Sequence, residues 1–188
     1  MADDGAVFHE CTQTIVDQVE VLKNLVNAFS QYAKMPATTL LPNDLNQVIN
    51  DPVVLFQDAH KEIQFEFKQD RDIPKLNIDA EKLNRVMINL LDNAVAAMDR
   101  GDGRIEITTR YDQAARKVIV EVADNGCGVP HRYKMKIFEP YFSTKKSGTG
   151  LGLAIVSSII SDHQGHVEVR DNDPVGTVVA FELPVPEI

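Results

Sequence analysis

Four short segments of this 188-residue chain hold residue types at spacings suited to chemistry. In Asn89-Leu90-Leu91-Asp92-Asn93-Ala94 the two asparagines stand four apart, so a helix sends both amides from one face. Leu90, Leu91 and Val95 then form its apolar side. An amide offers a neutral oxygen to a metal ion and N–H donors to phosphate, without adding negative charge beside a polyanion. Two polar residues on a wet helix face would look the same. Asp124-Asn125-Gly126-Cys127-Gly128 directly follows an alternating apolar run. A carboxylate at a strand end can accept from an exocyclic amine such as that of adenine, and glycines let the backbone approach a flat ring. A plain tight turn has the same composition.

The third segment, Ile137-Phe138-Glu139-Pro140-Tyr141-Phe142-Ser143-Thr144-Lys145, places aromatics in a loop-like stretch whose basic end can swing. Pinning of a surface loop by Phe138 and Phe142 explains the same aromatics. The fourth, Gly148-Thr149-Gly150-Leu151-Gly152-Leu153-Ala154, leads alternate glycines into an apolar helix. Free backbone N–H groups at a helix's positive end form a phosphate cradle. Its spacing is neither the P-loop nor the dinucleotide fingerprint. Charge agrees with an anion site: residues 129–150 hold five basic residues against one acid, in a chain of net charge −9.

Periodicity supplies the elements that position these segments. Residues 6–34 read as one long helix: Phe8, Ile15, Leu22 and Phe29 recur every seven, with Val16, Val19, Leu25, Val26 and Ala33 widening the stripe. So apolar a helix packs on the rest of the chain or on a second copy. It stops at Met35-Pro36, and residues 37–43 form a linker. A helix from Asp44 is expected to be kinked or divided by Pro52. Ile63, Phe65 and Phe67 mark a strand; Asp79 caps the asparagine helix; alternating runs around Ile105 and Val120 form a hairpin. A helix from Gly150 to His163 stops at Gly165, placed where a post-helix glycine stands. Two strands then close the chain. This order predicts an α+β fold, with helices on one face of a mostly antiparallel sheet.

Composition excludes other classes. Apolar residues at 44% and charged residues at 25% suit an ordinary globular chain. The acidic balance argues against nucleic acid as a partner. Cys11 and Cys127, 116 positions apart, fit a reducing compartment better than a disulfide framework. The acidic start has no signal-peptide pattern, and no apolar run nears the ~20 residues that span a bilayer.

The ordered set of asparagine helix, Asp-x-Gly-x-Gly, Phe-rich segment and Gly-Thr-Gly-Leu-Gly resembles the N, G1, F and G2 boxes of bacterial sensor histidine kinases. These are Bergerat-fold ATPases, related to gyrase, mismatch-repair and heat-shock chaperone ATPases. The resemblance covers residues ~44–185 and is most like the NtrY nitrogen-regulation kinases. It implies a Bergerat-type α/β sandwich over residues 44–188, preceded by one dimerisation-type helix (residues 1–36). It implies ATP or ADP and Mg²⁺ as ligands, with Asn93 and Asn89 on metal or phosphate. Asp124 would accept from the adenine amine, Gly126 and Gly128 would shape the ring pocket, and Thr177 would close it. Lys145 and the backbone of Gly148, Thr149, Gly150, Leu151 and Gly152 would hold phosphates, within a mobile lid over residues 129–149. One departure is Ala96, where family members often carry a basic residue.

The family phosphorylates a histidine on the first helix of a two-helix hairpin. Of His9, His60, His131, His163 and His166, only His9-Glu10 mimics that site, and Gln13 and Thr14 break its pattern. Residues 8–35 resemble the second hairpin helix instead. The resemblance therefore implies a kinase fragment without its phosphoacceptor, dimerising through the first helix and unable to phosphorylate itself. In the intact protein it implies transfer to a histidine, then to a response regulator receiver domain. This part is expected in the cytoplasm, the parent anchored in the inner membrane. Two other readings fit the motifs: an ATP-gated binding module and a stand-alone Bergerat-fold ATPase.

Overall fold

The computed structural model describes residues 8, 9, 12–16, 19, 23, 26, 37–98, 101–145 and 148–185. Within the expected first helix the described residues are helical, and Phe8, Ile15, Val16, Val19 and Val26 are exposed. Leu22, Leu25, Phe29, Ala33 and Cys11, named above, lie outside the described residues.

Leu41–Asn43 form a strand, β1, within the stretch read as linker. Asp44 caps α1 (Leu45–Ala59) by accepting from the backbone N–H groups of Asn46 and Gln47. The helix runs through Pro52 undivided. Leu45, Ile49, Pro52, Val53 and Phe56 are its buried stripe, so the proline ring sits on the core-facing side. Burial of that stripe offsets the ~3 kcal/mol that an interior proline costs. β2 (Gln64–Lys68) follows, then β3 (Leu76–Ile78), which pairs antiparallel with β1.

Asp79 caps α2 (Ala80–Val95) through the Lys82 N–H, as its position predicted. β4 (Arg104–Asp112) and β5 (Lys117–Asp124) form the expected hairpin. A short helix, α3 (His131–Lys134), then α4 (Gly152–Asp162), β6 (His166–Asp171) and β7 (Thr177–Pro184) complete the chain. The main sheet has the order β2-β4-β5-β7-β6, parallel only between β2 and β4.

Side chains from alternate strand positions (Phe65, Ile105, Ile107, Val118, Val120, Phe181, Leu183) meet Leu83, Val86, Met87 and Leu90 of α2 and Ile155, Val156 and Ile159 of α4. The opposite sheet face carries paired charges: Lys68 and Arg104 with Glu106, Arg170 with Glu121. That alternation leaves α1, α2 and α4 on one side, the α+β arrangement the pattern called for.

The end of α4 differs in detail. Gln164, not Gly165, takes the left-handed conformation, with φ of 59°. Gly165 serves close approach: a Cβ there would collide with the Glu182 carbonyl on β7. His163 joins the helix end to the start of α2, accepting from Asp79 N–H at Nε2 (3.0 Å) while Nδ1 faces the Ile159 carbonyl (2.7 Å).

Candidate functional site

β5 delivers Asp124 to the edge of the core with only 6% of its surface exposed. Its Oδ1 accepts from Gly126 N–H (2.9 Å) and Thr177 N–H (3.2 Å). Both bonds end on Oδ1, which leaves Oδ2 to accept from a ligand. Burial raises the Asp124 carboxyl above its ordinary value, opposed by those two N–H groups and by Lys145. Thr177 is the residue paired with Asp124 across β5 and β7, and it is equally buried.

The loop after Asp124 is fastened on several sides. Asn125 accepts from Arg104 N–H (2.7 Å) and donates to the Asp102 carbonyl (2.9 Å). Cys127 N–H donates to the Ala97 carbonyl (3.1 Å). Gly126 passes so close to Ala97 that a Cβ would lie 2.5 Å from that carbonyl oxygen. Gly128 has φ of 75°, and a Cβ on it would touch Gly176. Both glycines are therefore required by sterics, one by close approach and one by conformation.

Asn89 and Asn93 leave the same face of α2, as their spacing predicted. Asn89 Nδ2 donates to the Arg85 carbonyl (2.8 Å), which turns Oδ1 toward the start of α4. A Cβ on Gly152 would lie 2.9 Å from that oxygen. Lys145 Nζ reaches Asn93 Oδ1 at 3.4 Å. Desolvation lowers the Lys145 ammonium from its ordinary value, against the raising influence of Cys127, Asp92 and Asp124. Lys145 thus meets the asparagine helix at Asn93, and the loop after Asp124 is tied to the end of that helix at Ala97, which brings the two motifs to neighbouring positions.

Leu151 is the N-cap of α4 and supplies no side-chain cap to its first-turn N–H groups. Leu151 N–H itself points to Thr149 Oγ1 (3.4 Å). Gly148 N–H donates to the Lys145 carbonyl (3.2 Å). Gly150 has φ of 66° and carries a carbonyl that accepts from Tyr141 N–H (2.9 Å). Gly148 is therefore tied back to Lys145 and Thr149 to Leu151, while Gly152 is brought against the asparagines. Among the described residues no cluster of His, Cys, Asp and Glu could hold a metal by itself.

Sequence reasoning missed Asn172. It lies in the β6–β7 turn, and its Nδ2 donates to the Asp124 carbonyl (2.8 Å). Asparagine is so common in turns that nothing in the sequence separates this one from a surface residue.

Residues 78–187 match the family described as histidine kinase-, DNA gyrase B- and HSP90-like ATPases, and the chain belongs to that family. Nitrogen regulation protein NtrY of Azorhizobium caulinodans is 32% identical over 177 residues, covering 91% of this chain and 23% of that protein. Sensor histidine kinase ZraS of Salmonella typhimurium is 34% identical over 183 residues, covering 96% of this chain and 39% of that one. The chain thus spans well under half the length of these relatives. Among solved structures, histidine kinase ThkA in complex with response regulator protein TrrA aligns with a TM-score of 0.75. That match has 30% identity and covers 92% of this chain and 50% of that one. The fold is that of histidine kinase catalytic domains, and nucleotide binding comes with the family. Among the described residues no helix is long and apolar enough to cross a membrane.

Proposed function

We propose that this chain holds ATP with Mg²⁺ in the cleft between Asp124 and the asparagine face of α2, as the catalytic module of a sensor kinase. The observation that carries this reading is the pairing of Oδ1 of a buried Asp124 with two N–H groups, which aims the second oxygen outward. Adenine fits there through its 6-amino donor, with Gly126, Gly128 and Thr177 around the ring. At the other end of the cleft, Gly152, Lys145 and the segment Gly148–Leu151 would take the phosphates.

Asn89 and Asn93 suit a hard cation that keeps waters and phosphate oxygens among its ligands. Bound there, Mg²⁺ would neutralise charge on the transferring phosphoryl group. Within the chain, Lys145 and the α4 N-terminus would orient and partly neutralise the phosphates, so positioning and electrostatics supply the catalysis.

We read the acceptor as a histidine on a hairpin helix outside these residues, and a response regulator as the next acceptor. The exposed Phe8, Ile15, Val16, Val19 and Val26 favour a homodimer through the first helix. On this reading residues 1–36 are its dimerising part, 37–43 its linker and 44–188 its catalytic domain. The module works in the cytoplasm, tethered to the inner membrane by its parent.

Titration calorimetry with ATP and Mg²⁺, run beside incubation with a separately supplied histidine hairpin, tests both parts. Saturable ATP binding and acid-labile phosphate on the hairpin are expected, with no label on this chain alone. Steady ATP hydrolysis without any acceptor labelling would instead favour a stand-alone ATPase.

A further inference from the structure

Among the described residues, the strongest feature that the motifs leave unexplained is the β6–β7 turn against the Asp124 loop. Asn172 Oδ1 accepts from Asp173 N–H (3.0 Å), so the orientation of the side-chain amide is set by its own turn. Its Nδ2 is thereby aimed at the Asp124 carbonyl, 2.8 Å away. Asn172 N–H also donates to the Gly176 carbonyl (3.1 Å), closing the turn. Gly176 lies so near the Asp124 carbonyl that no Cβ would fit, and its φ of 121° is glycine's own. Thr177, next along the chain, donates to Asp124 Oδ1. One turn therefore holds Asp124 twice, by its main-chain carbonyl and by one carboxylate oxygen.

We infer that Asn172 is a positioning residue for base recognition: it fixes the Asp124 main chain so that Oδ2 faces the 6-amino group of a purine. The inference rests on the adenine reading of Asp124. A backbone free to rotate about the end of β5 would carry the carboxylate with it, so loss of the clamp blurs the aim of the acceptor. Binding of the ribose and phosphates, which belong to other elements, is left alone. The residue acts on selectivity rather than on affinity in general.

The test compares ATP with purine riboside triphosphate, which lacks only the 6-amino group. Affinities are measured by calorimetry for wild type, Asp124→Ala, Asn172→Ala and Asn172→Asp. The aspartate variant keeps the acceptor for Asp173 N–H but turns an oxygen toward the Asp124 carbonyl. Wild type should prefer ATP by about 10-fold or more, and Asp124→Ala should erase that preference. Both Asn172 variants should cut the preference by about 3- to 10-fold, with affinity for purine riboside triphosphate unchanged. A wild type without preference sinks the adenine reading itself. A wild type with preference that the Asn172 variants retain overturns only the role of Asn172, even if both nucleotides bind more weakly. Circular dichroism accompanies each titration, and failure of both Asn172 variants to fold would likewise overturn the positioning role, leaving a purely structural one.

Discussion

The two ends of the cleft are built on opposite plans. Around Asp124, hydrogen bonds join residues distant in sequence: Thr177 and Asn172 from the β6–β7 region, Arg104 and Asp102 from the start of β4, Ala97 from the end of α2. Between residues 129 and 150 the bonds are mostly local. Tyr133 N–H donates to the Pro130 carbonyl, Lys136 to Tyr133, Glu139 to Lys136, Phe142 to Glu139 and Gly148 to Lys145. The Tyr133–Phe142 ring pair is internal to that segment, which is attached to the rest by buried Ile137, the Lys134–Asp171 ion pair and the Lys145–Asn93 contact. An end held by distant elements moves only when those elements part, whereas successive turns can shift as a body. On the proposed reading, the end around Asp124 is the preorganised base pocket and residues 129–150 are the lid over the phosphates.

The largest effect should come from the fixed end. Asp124→Ala removes a charged acceptor worth roughly 1.5–3 kcal/mol, so calorimetry should show about 10- to 150-fold weaker ATP binding. GTP, with an acceptor at its six-position, should bind wild type less well than ATP. Unchanged ATP affinity in the variant would show that the rigid end is not the base pocket.

Next comes the lid. Backbone hydrogen exchange over residues 129–145 should slow by about tenfold when an ATP analogue is present at tenfold its Kd. The loop around Asn125 should change less, because its bonds already exist without ligand. Equal slowing at both ends would erase the contrast.

Lys145→Ala should act only on the phosphate end. A cation at the cleft rim, reaching Asn93 at 3.4 Å, carries a modest share. Weakening of ATP by about 1.5- to 5-fold is expected, with adenosine unaffected. Loss of adenosine binding would mean that the two ends are not separable.

The smallest effect is a stability slope with pH. Burial raises the Asp124 carboxyl in the folded chain above its ordinary 3.8. Across the window from there up to the raised value, the folded state holds more protons than the unfolded one. Stability should therefore fall as pH rises through that window. Thermal melts of wild type and Asp124→Asn at several pH values should differ by this slope, which the asparagine lacks. A slope of opposite sign would place Asp124 in a charge-stabilising environment, contrary to its burial.

Features that depend on neighbours along the chain are legible from residue order alone. Asp44 and Asp79 cap their helices by reaching two or three residues ahead, so their positions alone announced α1 and α2. The alternation in β4 and β5 announced a hairpin with one buried face. Spacing set Asn89 and Asn93 on one side of a helix, and the order of four motifs pointed to the family. Tertiary structure decided what depends on contact across the chain. Pro52 stays inside α1 because its ring is on the buried stripe, a placement that local propensity does not weigh. Leu41–Asn43 become a strand only because Leu76–Ile78 lie alongside. Gly165 is needed for its distance to β7, and Gln164 takes the turn conformation in its place. Asn172 meets Asp124 across 48 residues, through a bond that exists only once β6 and β7 are in register. Composition records which groups a residue carries, whereas such pairings depend on how whole elements pack, and that is a property of the folded chain alone.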